Sequence, residues 1–337
     1  MAELTEQDNR VAECDALPDD LPGFRRRHPF VDEELRGVEE ILQEALVGGS
    51  SPMDSLLKPF AQRPGKLLRP TLVILAARFG DYEADRIRRL GAAVELLHLA
   101  TLIHDDIVDS SPMRRGLPTL HTTQGVKRAV LAGDYVFTRC FELTADFATP
   151  ESARLLAGAV KRICEVEIDR SRDTTGSLRA YLRRSAGKTA LLFLLATAMG
   201  SRESGCDEAT QEALRRYGYA VGMAFQIIDD ILDFDASAAA FGKPVGMDLQ
   251  SGLVTLPPIL ALRGNDAKIA ATLKQPMNRR RARRTCRLLA ENGWLDRAGD
   301  VAGDYTERAL AGIGTLGPGP EYRSLRDFAL SLRKRAY

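Results

Sequence analysis

The sequence predicts an all-α fold, a large single-domain bundle of about ten or more helices. Three observations predict it. Apolar residues recur at i, i+3, i+4 and i+7 over long stretches. Alternating strand patterns are nearly absent, and Gly and Pro cluster between the periodic stretches, at 112–116, 242–246 and 314–320. No Pro/Ser linker or repeat divides the 337 residues.

The elements follow in order. Residues 1–30 carry three prolines, an acidic pair and a basic run without an apolar period, and are expected to form a flexible extension. The helical domain is expected over 31–337. Its predicted helices are 31–47, 70–79, 86–108, 126–147, 151–171, 177–199, 207–234, 255–262, 291–310 and 322–335. The stretch 86–108 is apolar nearly all round and should be buried on most sides.

Composition excludes several classes. Lys+Arg (47) nearly equals Asp+Glu (46), so no global positive field exists to hold a nucleic acid. The five cysteines form no C-x-x-C pair and read as free thiols of a reducing compartment. The polar, acidic start does not resemble a signal peptide, and no apolar run reaches the ~20 residues that span a bilayer. A cytoplasmic setting is expected.

Two acidic clusters carry the chemistry. His104-Asp105-Asp106-Ile107-Val108-Asp109 and Gln226-Ile227-Ile228-Asp229-Asp230-Ile231-Leu232-Asp233 both contain D-D-x-x-D. In each, the first and last aspartates are i, i+4 neighbours on one helix face, at the end of an apolar helix. Like charges so placed need a neutralising partner. Hard divalent cations with oxygen ligands fit, and Mg²⁺ takes one or two carboxylates plus substrate phosphates. Basic residues accompany the clusters: Lys66 and Arg69 before one apolar helix, Arg114 and Arg115 after the first cluster, Lys188 beside Thr189, and Lys243 after the second cluster. Aspartate-held metals ringed by cations describe a site for a polyphosphate ester. Gly187-Lys188-Thr189 is not a P-loop, because the earlier glycine and the preceding strand are missing.

Several long segments then resemble, in the right order, the trans-isoprenyl diphosphate synthases (polyprenyl synthetases). They are GKLLRP (65–70), ELLHLATLIHDDIVDSSPMRRG (95–116), LAGDYVF (131–137), GKTA (187–190), FQIIDDILDF (225–234) and GKPVGMDLQSGLVTLP (242–257). The resemblance covers about residues 35–335. It implies an all-α bundle around a central cavity and an enzyme, a prenyltransferase, usually a homodimer, that couples isopentenyl diphosphate head-to-tail to an allylic diphosphate.

The roles it implies fall on matching positions. Asp105, Asp106, Asp109, Asp229, Asp230 and Asp233 would bind three Mg²⁺ on the allylic diphosphate, with Asp248 in support. Arg114, Lys188 and Lys243 would hold that diphosphate, and Lys66, Arg69, His98 and Arg115 the isopentenyl diphosphate. Lys188, Thr189 and Gln226 would line the reacting carbons, and the departing diphosphate would take the final proton. His104 is expected to hold an aspartate.

Two positions depart from the family pattern. Leu253 stands where a lysine is usual and Arg170 where a glutamine is usual. Arg170 is expected to compensate for the cation that Leu253 lacks. Ala100 and Thr101, one turn before Asp105, are small where bulky aromatics stop chain growth early, and Leu97 and Leu96 lie a turn deeper. This pattern resembles medium- to long-chain synthases, with a geranylgeranyl or farnesyl product as the alternative. A terpene cyclase or a non-catalytic subunit is the alternative of another class. The retained isopentenyl-side cations argue against the cyclase, and the six intact aspartates against the inert subunit. The arginine run 279–284 reads either as a contact for acidic lipid headgroups, a transient one, or as a solvated helix face.

Overall fold

A computed structural model describes residues 21–48, 52–62, 65–114, 117–170, 177–234 and 245–333. The described chain is helical almost throughout, as the periodicity predicts. The helices are α1 (Leu21–Arg27), α2 (Pro29–Val47), α3 (Asp54–Ala61), α4 (Leu68–Ala77), α5 (Ala84–Val108), α6 (Leu120–Gln124), α7 (Val126–Ala145), α8 (Pro150–Arg170), α9 (Leu178–Ser185), α10 (Leu191–Glu203), α11 (Glu208–Phe234), α12 (Met247–Gln250), α13 (Leu256–Arg263), α14 (Ala267–Leu273), α15 (Arg279–Glu291), α16 (Trp294–Ile313) and α17 (Pro320–Arg333). Between α5 and α6 a small antiparallel hairpin pairs Met113 with Pro118 and Arg114 with Leu117.

Three differences from the sequence reading have physical causes. Helix begins at Leu21, within the stretch expected to be flexible. Phe24 is buried there, edge-on to Phe328 with ring centroids 5.5 Å apart, a long-range contact that local periodicity does not contain. The helix expected over 177–199 is split by a π turn at Ala186–Ala190. Helices α3, α6, α12 and α14 are too short to show a period.

The chain divides into two compact units, each assembled from separated stretches. One comprises Arg25–Gly158 and Leu195–Arg215. At its centre α5 packs on α2, α4 and α7. Ile87, Leu90, Val94 and Leu97 are fully buried on it, at about 1.5–3 kcal/mol of burial each. The other unit comprises Met1–Phe24, Ala159–Leu194 and Arg216–Tyr337. Its core joins Ile227, Ile228 and Ile231 of α11 to Tyr181 of α9, Ile259 of α13 and Ala298 of α16. A second cluster packs Phe234 with Ile269, Leu289 and Trp294. No described helix is long and apolar enough to cross a membrane.

Candidate active site

In the unit built around α5, the first acidic cluster ends that helix. Asp105 and Asp106 are buried and Asp109 is exposed. Arg114 Nε, in the hairpin, donates to Asp106 Oδ1 at 2.7 Å. Burial raises the Asp106 pKa and the Arg114 charge works against that. One carboxylate oxygen of Asp106 is thus bonded to a cation of its own chain. Asp105 and Asp109 remain the i, i+4 pair on the helix face.

The GKLLRP segment turns sharply into α4. Leu67 adopts a left-handed backbone, φ 52°, rare for a residue with a Cβ. Its side chain is buried, and its carbonyl accepts from the Thr71 backbone N–H and hydroxyl. This locked turn leaves Lys66 exposed and Arg69 buried. His98 on α5 lines an apolar cavity of about 350 Å³, together with Gly65, Asp106 and Arg114. Leu99, Leu102 and Phe60 supply part of its apolar wall.

Leu96, Leu97, Ala100 and Thr101 are outside that wall. The first three are fully buried and Thr101 is half-buried, its hydroxyl donating to the His98 carbonyl at 2.7 Å. His104 does meet an aspartate, Asp134 of α7 at 3.5 Å, and not one of the two clusters.

In the other unit, α11 carries the second cluster. Burial raises the pKa of Asp229, Asp230 and Asp233, Asp230 to about 7. Asp230 Oδ2 accepts from the Tyr181 hydroxyl at 2.6 Å, and its Oδ1 from the Gln226 amide at 2.7 Å. Asp233 accepts from the backbone N–H groups of Met247 and Asp248, both at 3.0 Å. Asp248 is pushed up to about 8 by burial and then by Asp233, Asp230 and Asp229.

Lys188 and Thr189 sit in the π turn, a wider helical turn frequent at functional sites. Lys188 Nζ lies 2.9 Å from Glu167 Oε1 of α8. Thr189 donates to Gln226 Oε1, so a chain of bonds runs Thr189–Gln226–Asp230–Tyr181. Two glycines permit this approach. A Cβ on Gly187 would come within 2.5 Å of Val166, and one on Gly222 within 2.6 Å of the Ala190 backbone.

Arg115 and Lys243 lie outside the described residues, as does the side chain of Arg170. Sequence reasoning assigned no role to Tyr181, Arg184 or Glu167. Tyr181, Arg184 and Lys188 are spaced i, i+3, i+7, a helical stripe that offers a signal for the first two. Arg184 donates to the Val254 carbonyl at 3.4 Å, beside Leu253, and its charge favours the ionised forms of Asp230 and Asp248.

The donor chemistry fits Mg²⁺ in a particular way. Among the described residues no three carboxylate, imidazole or thiol groups converge on one point. The donors come as carboxylate pairs, and Mg²⁺ is held by one or two carboxylates with water and substrate phosphate oxygens completing its shell. The crowded, buried carboxylates of α11 and α12 are groups that a divalent cation would stabilise.

Comparison with known proteins agrees. The polyprenyl synthetase family model matches residues 51–288. The chain is similar to heptaprenyl diphosphate synthase component 2 of Geobacillus stearothermophilus, 35% identical over 93% of this chain and 99% of that one. It is similar to octaprenyl diphosphate synthase of Haemophilus influenzae, 35% identical over 90% of this chain and 94% of that one. Among solved structures, polyprenyl synthase from Caulobacter crescentus, complexed with calcium and isoprenyl diphosphate, superposes with a TM-score of 0.86. That match is 32% identical, covering 94% of this chain and 98% of that one. The paired aspartate motifs, the all-helical fold and these matches together place the chain in the polyprenyl synthetase family, and its activity is that of a prenyltransferase.

Proposed function

We propose that the protein condenses isopentenyl diphosphate head-to-tail with an allylic prenyl diphosphate, with Mg²⁺, to give a medium- to long-chain all-trans polyprenyl diphosphate. The observation that carries the length is the similarity over nine-tenths of the chain to relatives named for heptaprenyl and octaprenyl products. The small Ala100 and Thr101 before the first cluster support it.

Bound Mg²⁺ would supply the positive charge that stabilises the leaving diphosphate. Asp105, Asp109, Asp229 and Asp233 are the groups to hold it. Asp106 and Asp230 orient through Arg114 and Tyr181. Lys188, steadied by Glu167, places a cation for the allylic diphosphate, as do Arg114 and Lys243. Lys66, Arg69, His98 and Arg115 take the isopentenyl diphosphate. Thr189 donates its hydroxyl hydrogen bond to Gln226 Oε1, which leaves the lone pairs of the hydroxyl oxygen to face positive charge developing on the allylic carbons. No side chain is assigned the final deprotonation, which falls to the departing diphosphate.

The test is product analysis by mass spectrometry after incubation with Mg²⁺, isopentenyl diphosphate and a series of allylic diphosphates. A ladder of long polyprenyl products is expected. A ladder stopping at four isoprene units would keep the chemistry and overturn the length. Hydrocarbon or alcohol from the allylic substrate alone would overturn coupling.

The similarity to a protein named component 2 favours one second reading, a catalytic chain that needs a partner subunit instead of a second copy of itself. Coupling by the purified chain alone would exclude that requirement.

A further inference from the structure

Helix α15 carries a strongly basic face. Arg279, Arg280, Arg283, Arg284 and Arg287 are all exposed and together line one shallow depression. At 3.6 residues per turn they share an arc of about 140°, and they span about 12 Å along the axis. None of the five forms an ion pair with a described carboxylate. The opposite face, with Ala282, Cys286 and Leu289, is fully buried.

That buried face reaches the second acidic cluster. A Cβ on Gly246 would meet Cys286 Sγ at 3.0 Å and Ala282 Cβ at 3.2 Å, and the Gly246 N–H donates to the Asp233 carbonyl at 2.7 Å. The arginines are therefore the outer side of a helix whose inner side closes over the end of α11.

We propose that the arginine face of α15 seats the protein on the anionic headgroups of a lipid bilayer. Guanidinium groups match phosphate in geometry and keep their charge at any physiological pH. A stripe of exposed cations next to an acidic surface is attracted by it over about a Debye length. Between residues 279 and 287 that arc holds only arginine, whereas the core of a protein–protein interface is depleted of charge and enriched in aromatics. A stripe about 12 Å long is short of the extended basic track that follows a nucleic-acid backbone. The choice of a lipid surface rests on the proposed function, because a long polyprenyl product has an apolar tail that must leave water for a bilayer.

The test is co-sedimentation of the full chain with phosphatidylcholine vesicles and with mixed phosphatidylcholine–phosphatidylglycerol vesicles, at low and high salt. The protein is expected to pellet with the mixed vesicles only, and to be released by salt. Each arginine removed should weaken binding about fivefold, so the double variant R280Q/R284Q should bind about 25-fold more weakly. Its rate of coupling a short allylic diphosphate in solution should match the unaltered protein, which also shows that it folds. Equal binding to neutral vesicles, no binding, or full binding by the double variant would overturn the proposal. So would release from the vesicles by an oligonucleotide at equal phosphate concentration, which would assign the face to nucleic acid. A protein that pellets as expected but couples nothing by itself would retain the surface and overturn coupling by the single chain.

Discussion

The Tyr181 hydroxyl and Asp230 Oδ2 are 2.6 Å apart across 49 residues of sequence. Both groups are buried, and Asp230 carries a second bond from Gln226. Tyr181 thus fixes the rotamer of the middle aspartate and, through Gln226, the Thr189 hydroxyl. Tyr181→Phe keeps the ring packing and removes only the bond. The coupling rate, measured against Mg²⁺ concentration, is expected to fall about 10- to 100-fold or to need more Mg²⁺. An unchanged titration curve would show that Gln226 alone suffices.

Arg184 carries a positive charge next to the Leu253 position, for which Arg170 is the expected compensation. It bonds the Val254 carbonyl and attracts Asp230 and Asp248. Arg184→Gln should raise the KM for the allylic diphosphate about tenfold, near the 1.4 kcal/mol of one charge-assisted bond. Arg170→Gln provides the comparison. If Arg170→Gln carries the whole KM effect and Arg184→Gln none, compensation lies at the end of α8.

Gly222 stands where α11 passes the π turn. Gly222→Ala forces the Ala190 backbone or Phe193 aside. A loss of about 1–3 kcal/mol is expected in denaturant unfolding, with a rate loss larger than the stability loss explains, because Thr189 shifts relative to Gln226. Unaltered stability would mean that the turn yields freely.

Thr101→Phe puts an aromatic ring one turn before Asp105, at a half-buried position. The product ladder should end earlier, read by mass spectrometry. A ladder of unaltered length would mean that the chain grows along another face of α5.

Glu203 provides a pH dependence away from the acidic clusters. Burial alone would raise its pKa, but bonds from Ser152, Thr149 and Arg86 outweigh burial and lower it below 4.5. A carboxylate with a depressed pKa stabilises the fold fully above its unfolded value. That contribution fades as pH falls from about 4.5 through the lower folded value. Glu203→Gln should cost about 1–3 kcal/mol at neutral pH and flatten the acid limb of a melting-temperature profile. An acid limb identical to that of the unaltered protein would assign the effect to other carboxylates.

The sequence by itself determined the helical class, both D-D-x-x-D pairs and the cations beside them. Those features are local: helical periodicity, i, i+4 spacing and charge are written in consecutive residues. Tertiary structure decided what no window of sequence contains. It buried Phe24 against Phe328 and so extended the fold toward the start of the chain. It widened one helical turn at Ala186–Ala190, because Gly187 and Gly222 let neighbouring helices approach. It also gave Asp106 a bond from Arg114 and Asp230 a bond from Tyr181. The reason is physical: a hydrogen bond between residues 49 apart exists only once packing has brought two helices together, and burial, which raises the carboxylate pKa values, is a property of the packed state alone.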